Sequence, residues 1–141
     1  MRFWDTSAVV PLVVTEPRTP QVRRLLDADP AVVVWWSTRT ETLSALARQR
    51  RAGVLDSAQE TQARRVLDAL AIAWAEVSPS GPLRARAERL LGVHAVRAAD
   101  AFQLAAALVW ARGETNGQAF VSLDDRLREA ASREGFLVLP E

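Results

Sequence analysis

Short runs of apolar, β-branched residues alternate along the chain with longer stretches whose apolar residues recur at helical spacing. Arg2 to Trp4 reads as a first strand and Ala8 to Val14 as an apolar helix, stopped before Glu16-Pro17 and set off from the next segment by Pro17 and Pro20. Gln21 to Ala28 places Val22, Leu25 and Leu26 on one helical face. After the Asp29-Pro30 turn, Ala31 to Trp36 is a continuous apolar run of the kind that forms a buried parallel strand. A helix from Ser37 or Thr38 to about Arg51 presents Leu43, Leu46 and Ala47 inward and is ended by Gly53. Another, from Asp56 or Ser57, carries Val66, Leu67, Leu70 and Ile72 towards Trp74, and the two together predict a helical hairpin.

The second half repeats the alternation. Trp74 to Val77 is a short strand, followed by the break Ser78-Pro79-Ser80-Gly81-Pro82, a helix from Leu83 to Leu91 and a connector from Gly92 to Val96. Arg97 to Arg112 is an alanine-rich helix apolar on nearly every face, which predicts a central position. Ala119 to Leu123 is a strand, Asp125 to Ser132 a helix, and Phe136 to Leu139 a last strand closed by Pro140. This order predicts an α/β sandwich around a mostly parallel sheet.

Composition narrows the picture. The 141 residues suit one domain, 1–141, and 49% hydrophobic with 25% charged residues is the balance of a soluble folded protein. No apolar run approaches the ~20 residues that span a bilayer, so a cytoplasmic protein without membrane contact is expected. With no cysteine and one histidine, His94, any metal must be held by oxygen, which disfavours zinc. All 18 basic residues are arginine; the planar guanidinium suits phosphates and bases, although a biased base composition in the genome would produce the same usage. The net charge of +1 is not that of a passive nucleic-acid binder.

Candidate chemistry lies at the strand ends. Ligands of an open parallel sheet bind beyond the carboxyl ends of its strands. Asp5 follows the first strand, Glu41 opens the helix after Ala31 to Trp36, and Asp124 and Asp125 follow Ala119 to Leu123. Asp100 sits in the first turn of the alanine-rich helix, where a lone charge would be costly. Each acid also reads as a helix cap: Asp5, Thr6 or Ser7 before Ala8, Thr38 to Glu41 as a capping box, Asp124 and Asp100 at their own helix starts. Convergence on one edge favours a shared task, because clustered carboxylates repel unless protonated or bridged by a cation. Oxygen-only donors select magnesium, or manganese, and such ions support in-line displacement at phosphorus. Phosphodiester hydrolysis is the reaction this implies.

The series Asp5-Thr6-Ser7, Thr40-Glu41-Thr42-Leu43, Arg97-Ala98-Ala99-Asp100-Ala101 and Ser122-Leu123-Asp124 resembles the PIN-domain ribonucleases over nearly the whole chain. Within that family it is most similar to the VapC-type toxins of bacterial toxin–antitoxin pairs. The resemblance implies a PIN-like three-layer α/β/α sandwich and a Mg2+-dependent endoribonuclease, with Mn2+ as the alternative ion, acting on structured RNA. It further implies neutralisation by a cognate antitoxin and assembly as a homodimer, for which the apolar hairpin from Ala45 to Ala73 offers a surface. Asp5, Glu41 and Asp100 would be the core metal-binding acids and Asp124 the fourth, with Thr6 or Ser7 positioning water or a carboxylate. Gln103 stands where many relatives carry a histidine, which touches a peripheral contact. Asp125 stands where a basic residue is commoner, so the fourth acid lies between Asp124 and Asp125, with Asp124 favoured as the strand end.

Arg97 is either a substrate clamp or the ion-pair partner of Asp100. His94 reads as a packing or surface residue rather than a phosphate contact. One of Trp35 and Trp36 belongs to the core, while the other is free to stack on a base or to lie at an interface. Arg48, Arg50 and Arg51 form either a solvated face or an RNA contact. Two rival functions remain at this point: a non-catalytic binding module with a structural acid cluster, and another metal-dependent phosphohydrolase.

Overall fold

The computed structural model describes all 141 residues. Its elements run β1 (Arg2–Trp4), α1 (Thr6–Val13), α2 (Thr19–Ala28), β2 (Val32–Trp35), α3 (Thr38–Arg51), α4 (Ser57–Ala73), β3 (Ala75–Val77), α5 (Gly81–Val93), α6 (Ala98–Trp110), β4 (Ala119–Val121), α7 (Asp125–Arg133) and β5 (Leu137–Leu139). Each predicted element is present, with ends displaced by one or two residues. The five strands form one sheet in the order β3-β2-β1-β4-β5. Every pairing is parallel, with Phe3 opposite both Val33 and Phe120.

Alternate side chains of a strand face opposite sides of its sheet, and this divides the core in two. Phe3, Val33, Trp35 and Phe120 point to one face, where α5, α6 and α7 cover them with Leu83, Leu90, Leu104 and Leu127. Trp4, Val32, Val34 and Val121 point to the other, beneath α1 to α4 and the side chains of Val9, Val22, Leu46 and Leu67. The result is a three-layer α/β/α sandwich. Phe3 stacks on Phe120 with ring centroids 5.4 Å apart, joining the two central strands through their side chains as well as their backbones.

α6 is the most deeply buried helix: Ala101 and every residue from Gln103 to Leu108 are buried, as its all-round apolarity predicts. The hairpin of α3 and α4 faces inward differently from expectation. Thr42, Ala45 and Leu46 form the buried stripe of α3, and Ala63 and Leu67 that of α4. Five residues beyond Leu67, Ile72 is rotated about 140° around the helix and is 89% exposed.

Chain direction fixes where a ligand can sit. From β1 the chain winds outward through β2 to β3, then returns to the other side of β1 for β4 and β5. The order therefore reverses between β1 and β4, and the carboxyl ends of these neighbours form the crevice in which parallel α/β folds bind ligands.

Candidate active site

Asp5 is the first residue beyond β1 and lies at that crevice, its amide donating to Val121 O of β4 at 3.0 Å. Its carboxylate caps α1 by accepting from the Ala8 amide at 3.2 Å, but the cap uses only part of its capacity. Ser7 Oγ donates to Oδ1 at 2.6 Å, and Ser122 Oγ, just past β4, donates to Oδ2 at 2.9 Å. The side chain is almost wholly buried. Burial pushes the carboxyl from its ordinary 3.8 up to about 6, even though the bonds from Ser7, Ser122 and Ala8 favour the charged form.

Ser7 and Ser122 extend the contact to the fourth acid. The Leu123 amide donates to Ser7 Oγ at 2.8 Å, and the Asp124 amide donates to Ser122 Oγ at 3.2 Å. Asp124 in turn caps α7 through Oδ1 and the Leu127 amide. Asp125 is exposed, whereas the backbone amide of Asp124 shares Ser122 Oγ with the Asp5 carboxylate.

Glu41 forms a second node. The capping box that Thr38 to Glu41 suggested is absent, because Glu41 Oε2 is held from three directions. Gln103 Nε2 donates to it at 2.8 Å, Ser37 Oγ at 3.0 Å and Thr6 Oγ1 at 3.2 Å. Gln103 Nε2 also reaches Thr6 Oγ1 at 2.9 Å and Thr38 Oγ1 at 3.2 Å. Far from peripheral, Gln103 joins α6, α1 and α3 in a buried polar knot, with its own Oε1 left unpartnered. The signal in the sequence was a lone amide within an alanine and leucine helix, since a buried polar group needs partners. Ser37 and Ser122 carried no such signal.

Asp100 lies one turn before Gln103 on α6 and accepts from the Arg97 amide at 3.2 Å, closing the first turn. The Arg97 guanidinium makes no ion pair with it. Asp5, Glu41 and Asp124 follow the carboxyl ends of β1, β2 and β4 and Asp100 lies in the first turn of α6, yet no three of them approach closely enough to form a metal-holding group as the side chains stand. The donors suit a hard divalent cation in kind: Glu41 Oε1, Asp100 Oδ1 and Asp124 Oδ2 accept no hydrogen bond from the protein, and Asp5 is a charge buried without a counter-ion.

Beside Glu41 opens a cavity of about 470 Å³ lined by Thr6, Ser7, Glu41, Ser44, Arg48 and Gln49, among others. A larger, mainly apolar cavity of about 700 Å³ shares Glu16 and Gln49 with it and runs on past Val13, Val14, Val54 and Leu55. Arg48 is therefore at the cavity wall, whereas Arg50 pairs with Glu60 at 3.7 Å. His94 belongs elsewhere. It is nearly buried and meets Glu134 at 2.8 Å, with Arg89 at 3.0 Å from the same carboxylate. Burial would raise the Glu134 carboxyl, but the bonds from Arg89 and His94 outweigh it and hold the group below its ordinary 4.5. Replacing His94 by Gln is expected to lower stability by about 1 kcal/mol in denaturant unfolding and to leave the activity of the acid edge unchanged; a loss of that activity at full folding would return His94 to the site.

A fully parallel five-stranded sheet between two layers of helices, with its switch point between β1 and β4, defines a class of small α/β/α proteins. The family model for the PIN domain matches residues 2–132, and the chain belongs to that family. It is 33% identical to ribonuclease VapC47 of Mycobacterium tuberculosis over 141 residues, which cover 97% of this chain and 94% of that protein. Among solved structures it is similar to M. tuberculosis VapC20, a sarcin-ricin loop cleaving toxin, at 22% identity and TM-score 0.64 over 97% of each chain. A toxin–antitoxin complex from Klebsiella pneumoniae is similar at 16% identity and TM-score 0.61, over 88% of this chain and 87% of that one. At these identities the solved structures establish the fold, and the VapC-type resemblance read from the motifs holds.

Proposed function

We infer that the protein is a ribonuclease toxin of a toxin–antitoxin system, and that Mg2+ held by Asp5, Glu41, Asp100 and Asp124 supports its hydrolysis of RNA phosphodiester bonds. The observation that carries the metal reading is the pairing of two acids with dedicated orienting groups at the β1/β4 crevice: Asp5 with Ser7 and Ser122, Glu41 with Gln103, Ser37 and Thr6. Caps need no such support. When bound, a hard divalent ion supplies an activated water and stabilises charge on the scissile phosphate. The chain's own residues do the rest. Ser7 and Ser122 fix the Asp5 carboxylate, and Gln103 and Ser37 fix that of Glu41 through Oε2, leaving its Oε1 free for an ion. Thr6 links the two nodes. The guanidinium of Arg97, exposed and without an ion-pair partner, is positioned on the Asp100 turn to meet a substrate phosphate.

An RNA substrate and an antitoxin partner follow from this reading. The apolar cavity beside the acids is a surface on which a protein partner could lie while reaching them, and the exposed Ile72 and Val54 of the α3–α4 hairpin suit a homodimer contact. The decisive assay measures cleavage of total RNA with Mg2+, with Mn2+ and with chelator, alongside Asp100→Asn. Loss of cleavage in chelator and in the variant is the expected result. Cleavage that persists in both would sink the mechanism, and absence of metal binding by calorimetry would favour a non-catalytic module.

A further inference from the structure

A third cavity, of about 550 Å³, is lined by Trp35, Trp36, Ser37, Leu83, Arg84 and Phe102, among others. Its floor is aromatic. Trp35 is buried and stacks on Phe102 with planes 4° apart and centroids at 5.8 Å, and Trp36 meets Trp35 at 66° with centroids 6.5 Å apart. Trp36 itself is 57% exposed although its backbone is pinned, its amide donating to Val77 O at 3.1 Å. The indole thus sits on a fixed backbone with much of its surface open to solvent. Arg84 also lines the cavity and makes no ion pair.

The cavity is joined to the acid edge through one hydrogen bond. Ser37, in its lining, donates to Glu41, which lines the cavity beyond. Phe102 lies between Asp100 and Gln103 on α6. A strand whose phosphate lies at the acids would therefore cross the Ser37–Glu41 wall and bring its next base to the open face of Trp36, with its next phosphate towards Arg84. We propose that Trp36, Phe102 and Arg84 form a nucleobase subsite that receives one unpaired base of the RNA substrate beside the cleavage position. Stacking accepts any base, which suits loops of structured RNA whose bases are already splayed. The proposal rests on the RNA-cleaving reading, and the two are separable by experiment.

Binding is measured in chelator, which prevents cleavage, using a fluorescein-labelled pool of stem-loop RNAs with randomised loops. Trp36→Ala is expected to weaken binding about tenfold, within the range for one lost stacked base, and Trp36→Phe to restore most of it. Arg84→Gln should reduce the salt slope of binding by about 0.7, the value for one single-strand phosphate contact. With metal restored, Trp36→Ala should raise KM and leave kcat within about twofold, as expected for binding energy shared by ground and transition states. Wild-type affinity in Trp36→Ala overturns the subsite and leaves the cavity to a protein partner. Equal loss in Trp36→Phe and Trp36→Ala overturns stacking, and failure of the wild type to bind the pool overturns the proposal together with the RNA reading. Trp36-dependent binding without any metal-supported cleavage would keep the subsite and overturn the nuclease mechanism alone.

Discussion

Asp5→Asn is expected to lower RNA cleavage by about 10³-fold or more while making the metal-free protein more stable. The carboxylate is buried at the β1/β4 crevice with three hydrogen-bond donors and no positive partner. Those bonds do not cover the cost of desolvation, which is why the carboxyl titrates near 6 instead of 3.8. A raised carboxyl pKa means that the folded state holds the proton more tightly than the unfolded chain. The ionised group therefore destabilises the fold above pH 6, and that penalty fades as pH falls from about 6 to 3.8. Full ionisation costs on the order of 3 kcal/mol at 1.36 kcal/mol per pH unit. Asparagine retains an acceptor for Ser7 and Ala8 and an amide that Ser122 Oγ can accept, without the charge. In chelator at pH 8 the variant should melt several degrees above the wild type, and the gap should close between pH 6 and pH 4. An inactive variant that is also less stable at pH 8 would mean that Asp5 serves the fold and not an ion; an active one would remove it from the site altogether.

A residue that weakens the fold is retained for a task, and the same contrast separates what the sequence revealed from what it did not. Alternation of β-branched runs with 3.6-residue periodicity located all twelve elements, because each signal lies within a dozen residues. Parallel strands then placed Asp5, Glu41 and Asp124 at one edge before any contact was known. Cap and cluster are not rival readings there. In a parallel sheet the strand end and the following helix start coincide, so an acid such as Asp124 spends one oxygen on its helix and keeps the other free. Hidden were the contacts that orient the acids. Ser122 reaches Asp5 across 117 positions and nothing local distinguishes it from other serines; Gln103 stands out as a lone amide in an apolar helix, but its partner Glu41 lies 62 positions away. Helix rotation was also invisible at its margins. Ile72 fits an apolar stripe by type but lies on the outer face, since the inner one is set by tertiary packing of Ala63 and Leu67.

Gln103→Met is expected to reduce RNA cleavage by about 10- to 100-fold, the usual range for residues that orient a metal ligand. Methionine fills about the same volume in α6 and keeps its helix propensity, so the buried position stays filled. What disappears is the donor shared by Glu41 Oε2, Thr6 Oγ1 and Thr38 Oγ1. The orientation of the amide is dictated by charge. Only the NH2 end can face an ionised Glu41, and so the carbonyl Oε1 is left buried and unpaired. Gln103→Glu sharpens the test, because it is isosteric and sets a second carboxylate against Glu41, where two like charges cannot both be ionised without strong repulsion. Metal-free Gln103→Glu should therefore be less stable than Gln103→Met at neutral pH, and added Mg2+ should recover more stability in it than in the wild type if the ion bridges the new pair. Calorimetric Mg2+ affinity should fall in Gln103→Met in step with cleavage, since a freed Glu41 must be ordered on each binding event. Wild-type metal affinity and wild-type cleavage in Gln103→Met would show that the knot of Thr6, Thr38, Glu41 and Gln103 holds three helices together and nothing more.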